Sequence, residues 1–281
     1  MAKLNLDYYT AKDHYSDGDI ENTLLEMARE GKSFQDLPEE EVSFPMVYHF
    51  SDLRENILNW YPLKKTDSVL EIGAGCGAIT GMLCQKAGKV TSVELSRRRA
   101  EINFARNSEK ENLTIMVGNL NDMTFPENFD YVVVNGVLEY AMSFTEGKTP
   151  YETFLKEMGG YLKPEGKLLI AIENRLGLKY FAGAPEDHTD IHFFGIDGYP
   201  ENHSVRTFSK EELGELLKNS GFPFLHFYYP YPDYKFPTEI FTDESLYTNS
   251  YGRNYPVYTD KTAALFSESE GVKAFEKEKI L

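Results

Sequence analysis

Five residues of this chain combine useful chemistry with close spacing, and all lie near the ends of two short apolar runs: Glu71, Gly73, Gly75, Gly77 and Glu94. Glycines directly after an apolar strand allow a tight turn, and they let the backbone approach a ligand closely. Such a turn is typical of proteins that bind a nucleotide-containing cofactor. The stretch also fits the dinucleotide pattern G-x-G-x-x-A, so the turn alone leaves an NAD(P)-dependent oxidoreductase open as an alternative.

The neighbouring polar residues favour a cationic ligand over a dinucleotide. Glu71 stands two residues before the first glycine, where its charge would repel a pyrophosphate but suits a ligand with an ammonium and a sulfonium. Glu94 ends the next predicted strand, where a carboxylate can accept hydrogen bonds from both ribose hydroxyls. Asn119 follows a third apolar run, and its amide can pair with the edge of an adenine.

Apolar runs alternate with helical patterns between residues 68 and 172, which predicts the elements that position these side chains. The expected strands cover 68–72, 89–94, 113–117, 131–134 and 167–172, and the expected helices cover 77–87, 97–108 and 151–162. Right-handed crossovers between such strands bring their carboxyl ends to one edge of a parallel sheet. We therefore predict a doubly wound, mostly parallel, Rossmann-like α/β sheet that binds its ligand at that edge.

The region before this core has a helical pattern. Residues 1–66 predict an N-terminal helical cap, with an amphipathic helix that starts near Asp19 and a second helix over 51–60. Two interpretations of the cap stay open. It packs against the edge of the sheet, or it forms a lid over the cofactor with Tyr48 and Arg54 facing inward.

The region after the core is aromatic and irregular. Ser209 and Glu212 form a capping pattern and Gly221 is a stop signal, which together predict a helix over 209–220. Residues 223–281 predict a C-terminal strand and an aromatic-rich extension. Only one good strand is visible after Gly221, so either the chain is a fragment of a longer protein or a partner strand lies in the tail.

The order and spacing of these motifs resemble the class I S-adenosylmethionine-dependent methyltransferase superfamily from residue 67 to about 174. The resemblance implies S-adenosylmethionine as cofactor and residues 67–222 as the core that binds it. It also implies the binding residues. The methionine part would be surrounded by Glu71, Gly73, Ala74, Gly75 and Gly77, and the ribose hydroxyls would be bound by Glu94. The adenine would lie against Leu95, Asn119 and Leu120, and the transferable methyl group would lie near Asn135 and Gly136. The family more often has Asp where Asn119 stands.

A second resemblance concerns residues 173–189, Glu-Asn-Arg-Leu-Gly-Leu-Lys-Tyr-Phe-Ala-Gly-Ala-Pro-Glu-Asp-His-Thr. With residues 15–21 and 53–60, this stretch is similar to a bacterial subgroup found beside, or fused to, glycosyltransferases of surface-polysaccharide assembly. The resemblance implies a small-molecule or glycan acceptor, and a glycosyltransferase as partner or fusion. The Asn/Asp-Pro-Pro-Tyr/Phe motif of amino-methylating DNA and glutamine methyltransferases is missing, and Asn135-Gly-Val-Leu stands in its place.

The segment from 173 to 192 is also the best candidate for the acceptor site, because it leaves the carboxyl end of a predicted strand. We expect His188, or a neighbouring carboxylate, to be the general base for a hydroxyl acceptor. Asn174 and Arg175 are expected to orient that acceptor. The alternative is a polar surface loop whose histidines bind backbone groups.

Composition limits the partners. The formal net charge of −16 opposes binding to nucleic acid, since a chain this acidic repels a polyanion. Two cysteines favour a reducing, cytoplasmic setting. The sequence shows no Cys/His metal pattern, no signal peptide and no run long enough for a membrane span.

The expected function is therefore methyl transfer from S-adenosylmethionine to a small molecule or glycan by in-line displacement. Two alternatives remain: an NAD(P)-dependent oxidoreductase, and a non-catalytic module that binds S-adenosylmethionine and works with a glycosyltransferase. The identity of the acceptor, the choice between oxygen and nitrogen, and the oligomeric state do not follow from the sequence.

Overall fold

The computed structural model describes residues 1–11, 16–145, 147–200 and 204–248. The end of the predicted C-terminal extension, from residue 249, lies outside the described residues. Contacts divide the chain into two compact units. Among the described residues, the sheet unit comprises those within 1–137 and 158–171, and the second unit comprises those within 138–157 and 172–248. The predicted domain boundaries after residues 66 and 222 stay predictions.

The sheet unit is built around six parallel strands. They are β1 (Lys3–Tyr8), β2 (Ser68–Ile72), β3 (Lys89–Glu94), β4 (Leu113–Gly118), β5 (Phe129–Asn135) and β6 (Leu162–Ala171). The strand order is β1-β4-β3-β2-β5-β6, and every neighbouring pair is parallel. This arrangement confirms the predicted Rossmann-like α/β sheet.

Helices connect or flank these strands. They are α1 (Ile20–Glu30), α2 (Phe44–Phe50), α3 (Asn56–Asn59), α4 (Thr80–Lys86), α5 (Arg97–Asn107), α6 (Ala141–Phe144), α7 (Pro150–Gly160), α8 (Leu178–Phe181), α9 (Lys210–Asn219) and α10 (Asp243–Thr248). No helix within the described ranges is long and apolar enough to cross a membrane.

The N-terminal region corrects one prediction, because it is not purely helical. Residues Lys3–Tyr8 form β1, which pairs with the edge of β4 through registers such as Leu4 with Ile115. None of these six residues is buried, so the strand is held by main-chain hydrogen bonds more than by apolar contacts. The sequence of this segment therefore lacks the pattern of buried apolar residues by which a strand is predicted.

The helical part of the N-terminal region agrees with its pattern. Leu24 and Ala28 of α1 are buried in a cluster that includes Ile102 of α5. Arg54 faces inward, and its guanidinium carbon lies 4.4 Å from the centre of the Tyr48 ring. Both side chains belong to the sheet unit.

The second unit contains a hairpin that the sequence did not reveal. Strand β7 (Tyr228–Tyr231) pairs in antiparallel fashion with β8 (Glu239–Thr242), so of the two alternatives left open by the sequence the partner strand in the tail is present. Each strand is only four residues long, which is too short for a clear alternation. Helix α9 carries the predicted capping box: the Ser209 hydroxyl accepts from the Glu212 N–H, and the Glu212 carboxylate accepts from the Ser209 N–H.

Candidate active site

The glycine turn between β2 and α4 is the first part of the candidate site. Gly73, Gly75 and Gly77 have φ values of +66°, +55° and +78°, in the left-handed region that favours glycine. A Cβ at Gly73 would lie 2.4 Å from Cγ2 of Val137, and one at Gly77 would lie 2.3 Å from Oδ1 of Asn103. A Cβ at Gly75 would meet nothing within 4 Å. Gly75 is therefore the glycine at which a ligand can approach the backbone.

Glu94 fastens this turn to the end of the neighbouring strand β3. Its carboxylate accepts hydrogen bonds from the N–H of Gly75 at 2.7 Å and from the N–H of Ser96 at 2.8 Å. Burial raises the pKa of Glu94, and these backbone hydrogen bonds oppose the rise. A carboxylate has about four acceptor positions, so Glu94 can hold the turn and still accept from ribose hydroxyls.

Glu71 lies beneath the turn and is fully enclosed. Its carboxylate accepts from the hydroxyl of Thr80 at 2.7 Å and from the hydroxyl of Ser92 at 2.5 Å. Burial raises the pKa of Glu71 to about 7, although these two hydrogen bonds act against the rise. Its carboxylate thus links β2, β3 and α4 from inside.

The raised pKa of Glu71 predicts that the sheet unit loses stability as the pH rises. The folded state binds the proton more tightly than the unfolded state, whose pKa is near 4.5. The free energy of unfolding should fall between pH 4.5 and 7, by at most about 3 kcal/mol. Glu71→Gln should remove this part of the slope, since the amide oxygen can accept both hydroxyls. Urea unfolding at pH 5, 6, 7 and 8 measures the effect, and equal slopes for both proteins would refute it.

The remaining predicted cofactor residues lie at the carboxyl ends of adjacent strands. Leu95 follows β3, Asn119 and Leu120 follow β4, Asn135 ends β5, and Ala74 and Gly136 begin the turns after β2 and β5. Because β4, β3, β2 and β5 are neighbours in that order, these residues share one edge of the sheet, which spans about 15 Å at roughly 4.8 Å per strand.

One acceptor at this edge has no partner. Oδ1 of Asn135 is buried and makes no hydrogen bond within the described part of the chain. The side-chain oxygen of Asn119, by contrast, accepts from the N–H of Asn121 at 3.0 Å. The open approach at Gly75, the carboxylate of Glu94 and the unpaired oxygen of Asn135 together fit a ligand that carries hydroxyl and N–H donors. We call residues 71–77, 94–95, 119–120 and 135–136 the cofactor cradle.

The segment that contains the cofactor cradle matches a known protein family. Residues 70–170 match the family model described as a methyltransferase domain. Over these residues the chain is similar to a methyltransferase domain, which agrees with the predicted class I S-adenosylmethionine-dependent superfamily. The match confirms S-adenosylmethionine as the predicted cofactor. The methyltransferase domain starts inside β2 and ends inside β6, so it contains every residue of the cofactor cradle.

Curated relatives of the methyltransferase domain are similar over parts of their length. A malonyl-[acyl-carrier protein] O-methyltransferase of Priestia megaterium is 26% identical over 55% of this chain and 46% of its own length. The putative methyltransferase YqeM of Bacillus subtilis is 26% identical over 57% of this chain and 75% of its own. A probable ribosomal RNA small subunit methyltransferase A of Methanosarcina mazei is 42% identical over 29% of each chain. The chain thus spans less than half of the first and third relatives.

Solved structures are similar at a lower level. A putative methyltransferase from Bacillus halodurans is 20% identical, covers 66% of this chain and 77% of its own, and has a TM-score of 0.45. A putative O-methyltransferase from Nostoc punctiforme is 13% identical, covers 80% of this chain and 60% of its own, and has a TM-score of 0.48. The fold assignment rests on the strand order observed here.

The second unit holds the predicted catalytic histidine in a cluster of carboxylates. Nδ1 of His188 lies 2.9 Å from Oε1 of Glu186, and Nε2 lies 3.8 Å from Oε1 of Glu139. Glu186 also accepts from the N–H groups of His188 and Thr189, both at 2.9 Å, and from the hydroxyl of Tyr199 at 3.1 Å. These contacts fix the carboxylate of Glu186, which in turn fixes the imidazole ring.

The charges in this cluster are coupled. Burial lowers the pKa of His188, but the neighbouring carboxylates of Glu139 and Glu186 outweigh it and raise the pKa to about 10. Burial raises the pKa of Glu139, and the bond to His188 opposes that rise. In the arrangement described, the imidazole therefore carries a proton at neutral pH and faces a buried carboxylate.

The other two predicted catalytic residues have local partners. The side-chain oxygen of Asn174 accepts from the N–H of Leu176 at 2.9 Å. Nε of Arg175 donates to Glu212 of α9 at 2.6 Å, and Nη1 of Arg175 donates to the carbonyls of Gly195 and Ile196 at 3.0 and 3.2 Å. These contacts show Arg175 holding the loop around 195–196 against α9.

The sequence interpretation missed Glu139 as a member of the cluster. Glu139 follows the end of β5 by four residues, and Glu173 follows the end of β6 by two. Their place in the sequence could have indicated both acids, because each comes just after a predicted strand, where the carboxyl ends of a parallel sheet bind ligands. Glu139 and His188 are 49 residues apart, so no short motif joins them.

Proposed function

We propose that this protein transfers a methyl group from S-adenosylmethionine to a hydroxyl group of a small-molecule or glycan acceptor. The observation that carries the proposal is the glycine turn inside the matched methyltransferase domain, which is open to a ligand at Gly75 and fastened by Glu94. The net charge of −16 supports an acceptor that is not a polyanion.

When bound, S-adenosylmethionine supplies an electrophilic methyl group and departs as a neutral thioether. The chain must hold the acceptor oxygen in line with the carbon–sulfur bond at near-attack distance. As the new carbon–oxygen bond forms and the carbon–sulfur bond breaks, the acceptor hydroxyl loses its proton. Because the imidazole of His188 is already protonated at neutral pH, we propose that a neighbouring carboxylate, Glu139 or Glu173, takes that proton.

Asn174 and Arg175 contribute to acceptor binding through the segment that they hold. Asn174 forms a local turn with Leu176, and Arg175 fastens the loop at 195–196 to Glu212. Both are positioning residues in this proposal. Arg175→Lys would lose the forked contact with one carboxylate and two carbonyls, because an ammonium presents a single donor centre.

The substrate class rests on the resemblance of residues 173–189 to a bacterial subgroup of surface-polysaccharide assembly. We propose a glycan acceptor of that class, with a glycosyltransferase as partner or fusion. Aromatic rings near His188 support it, since Tyr140 packs edge-on against the imidazole with ring centres 5.4 Å apart, and aromatic faces suit sugar rings.

The experiment that tests the function supplies methyl-labelled S-adenosylmethionine and a panel of hydroxylated small molecules and oligosaccharides to the full chain. The proposal expects label in at least one acceptor as a base-stable methyl ether, with stoichiometric release of S-adenosylhomocysteine. Binding of the cofactor with no transfer to any acceptor class would favour the non-catalytic module instead.

A further inference from the structure

Three side chains of the second unit converge in a way that methyl transfer does not by itself require. Glu139, Glu173 and His188 each offer one atom that could bind a metal, and these three atoms all lie within 4.8 Å of one another. Glu139 is 1% exposed and Glu173 is 5% exposed, so both carboxylates are removed from water. Two buried carboxylates at such a separation repel each other unless a positive charge lies between them.

The two carboxylates also leave acceptor atoms unused. Oε2 of Glu139 and Oε2 of Glu173 are buried, and neither has a hydrogen-bond partner within the described ranges. A buried carboxylate oxygen without a partner is costly, because the desolvation of a charged group is not repaid. Both oxygens are therefore available as acceptors for a small, positively charged ligand.

The orientation of His188 fits the same ligand. Nδ1 of the imidazole forms a hydrogen bond with the carboxylate of Glu186, and the other ring nitrogen, Nε2, faces Glu139. Histidines that bind metals usually donate their other ring N–H to a carboxylate, which fixes the tautomer and raises the basicity of the ligating nitrogen. Glu186 itself is held by Thr189 and Tyr199, so this support is rigid.

Lys235 neutralises part of the negative charge of Glu173. Nζ of Lys235 contacts Oε1 of Glu173, the oxygen opposite the unpaired one, and also lies 3.3 Å from Asp187. Lys179 contacts Asp187 and Asp233 in turn, at 2.7 and 3.1 Å. This network holds Glu173 through one oxygen and leaves the other oxygen without a hydrogen-bond partner among the described residues.

We propose that Glu139, Glu173 and His188 form a binding site for one divalent cation. A mixed set of carboxylate oxygens and an imidazole nitrogen suits Mn²⁺ or Zn²⁺ better than Mg²⁺, which prefers oxygen ligands alone. Such a cation would replace the proton on the imidazole and satisfy both unpaired oxygens. Its binding does not depend on the cofactor cradle.

The cation's part in the reaction rests on the proposed function. When the cation is bound, Glu139 and Glu173 are ligands and no longer take the acceptor proton. The cation instead would lower the pKa of a hydroxyl that coordinates it, so that the acceptor oxygen would give its proton to water and become the nucleophile. The metal keeps its oxidation state throughout, and no further reactant is needed.

The test measures Mn²⁺ binding to the full chain after treatment with EDTA. Free Mn²⁺ is followed by its six-line paramagnetic resonance signal at room temperature, and bound Zn²⁺ is counted by elemental analysis of the dialysed protein. The proposal expects one equivalent of either metal. Glu139→Gln and Glu173→Gln should each weaken Mn²⁺ binding by about tenfold to a hundredfold, the range seen when metal-site residues are altered.

The control is Glu215→Gln, which removes an exposed carboxylate of α9. It should bind Mn²⁺ as the parent does, because surface acids hold the metal weakly and without stoichiometry. Melting temperatures confirm that each variant is folded. Stoichiometric binding that survives both cluster substitutions would overturn the proposal, and so would an absence of binding to the parent chain. A parallel titration with S-adenosylmethionine separates failure of this site from failure of the proposed function.

Discussion

Gly75→Ala is expected to weaken the binding of S-adenosylmethionine by at least about tenfold. The added methyl group meets no protein atom within 4 Å, so it projects into the space beside the turn that the cofactor must approach. The substitution also places alanine at φ +55°, which costs roughly 1–2 kcal/mol of stability. Loss of affinity and loss of stability must therefore be separated.

Gly31→Ala provides the matched control. Gly31 ends α1 at φ +66°, and a Cβ there also meets nothing within 4 Å. Both variants carry a similar backbone strain, but only Gly75 belongs to the cofactor cradle. Calorimetric titration should show parental affinity for Gly31→Ala and weakened affinity for Gly75→Ala, with similar falls in melting temperature. Equal affinities in the two variants would place the cofactor elsewhere.

His188→Ala is expected to lower turnover by about a hundredfold to ten-thousandfold, the usual contribution of general acid–base catalysis, because the imidazole contacts Glu139, a carboxylate proposed to take the acceptor proton. Affinity for S-adenosylmethionine should not change, because the contacts of His188 with Glu186, Glu139 and Tyr140 involve no residue of the cofactor cradle. The assay is the transfer of labelled methyl to the acceptor found with the parent chain.

His226→Ala is the control for this substitution, since His226 is exposed and lies outside the cluster. It should keep parental turnover. Removal of the imidazole leaves Glu139 and Glu186 facing each other, so the melting temperature of His188→Ala must be recorded, and His188→Gln supplies a variant of closer volume. Full turnover in either His188 variant would exclude a role for this side chain in the reaction.

The central sheet was predictable because its strands are buried on both faces. Strand β2 is buried at all five positions and β3 at five of six, and both contain β-branched or other apolar residues between turn residues. Strand β1 was missed because it sits at the edge and buries none of its residues. Strand β8 was missed because a four-residue strand leaves almost no periodic signal.

The candidate site divides in the same way. The cofactor cradle is local in sequence, since each part follows one strand, and the glycines at 73, 75 and 77 take the φ values that the turn requires. The cluster around His188 is assembled by the fold from residues 139, 173, 186 and 188. Nothing in the sequence shows that Glu139 lies beside His188, or that Arg175 donates a hydrogen bond to Glu212.

The measurement that tests the account most directly is a calorimetric titration of the full chain with S-adenosylmethionine and, separately, with NAD. Because Glu94 and the open turn at Gly75 fit a nucleoside with a charged sulfur, the account predicts saturable heat at one site with S-adenosylmethionine and none with NAD. Saturable heat with NAD and none with S-adenosylmethionine would contradict the assignment of the cofactor cradle and the function that depends on it.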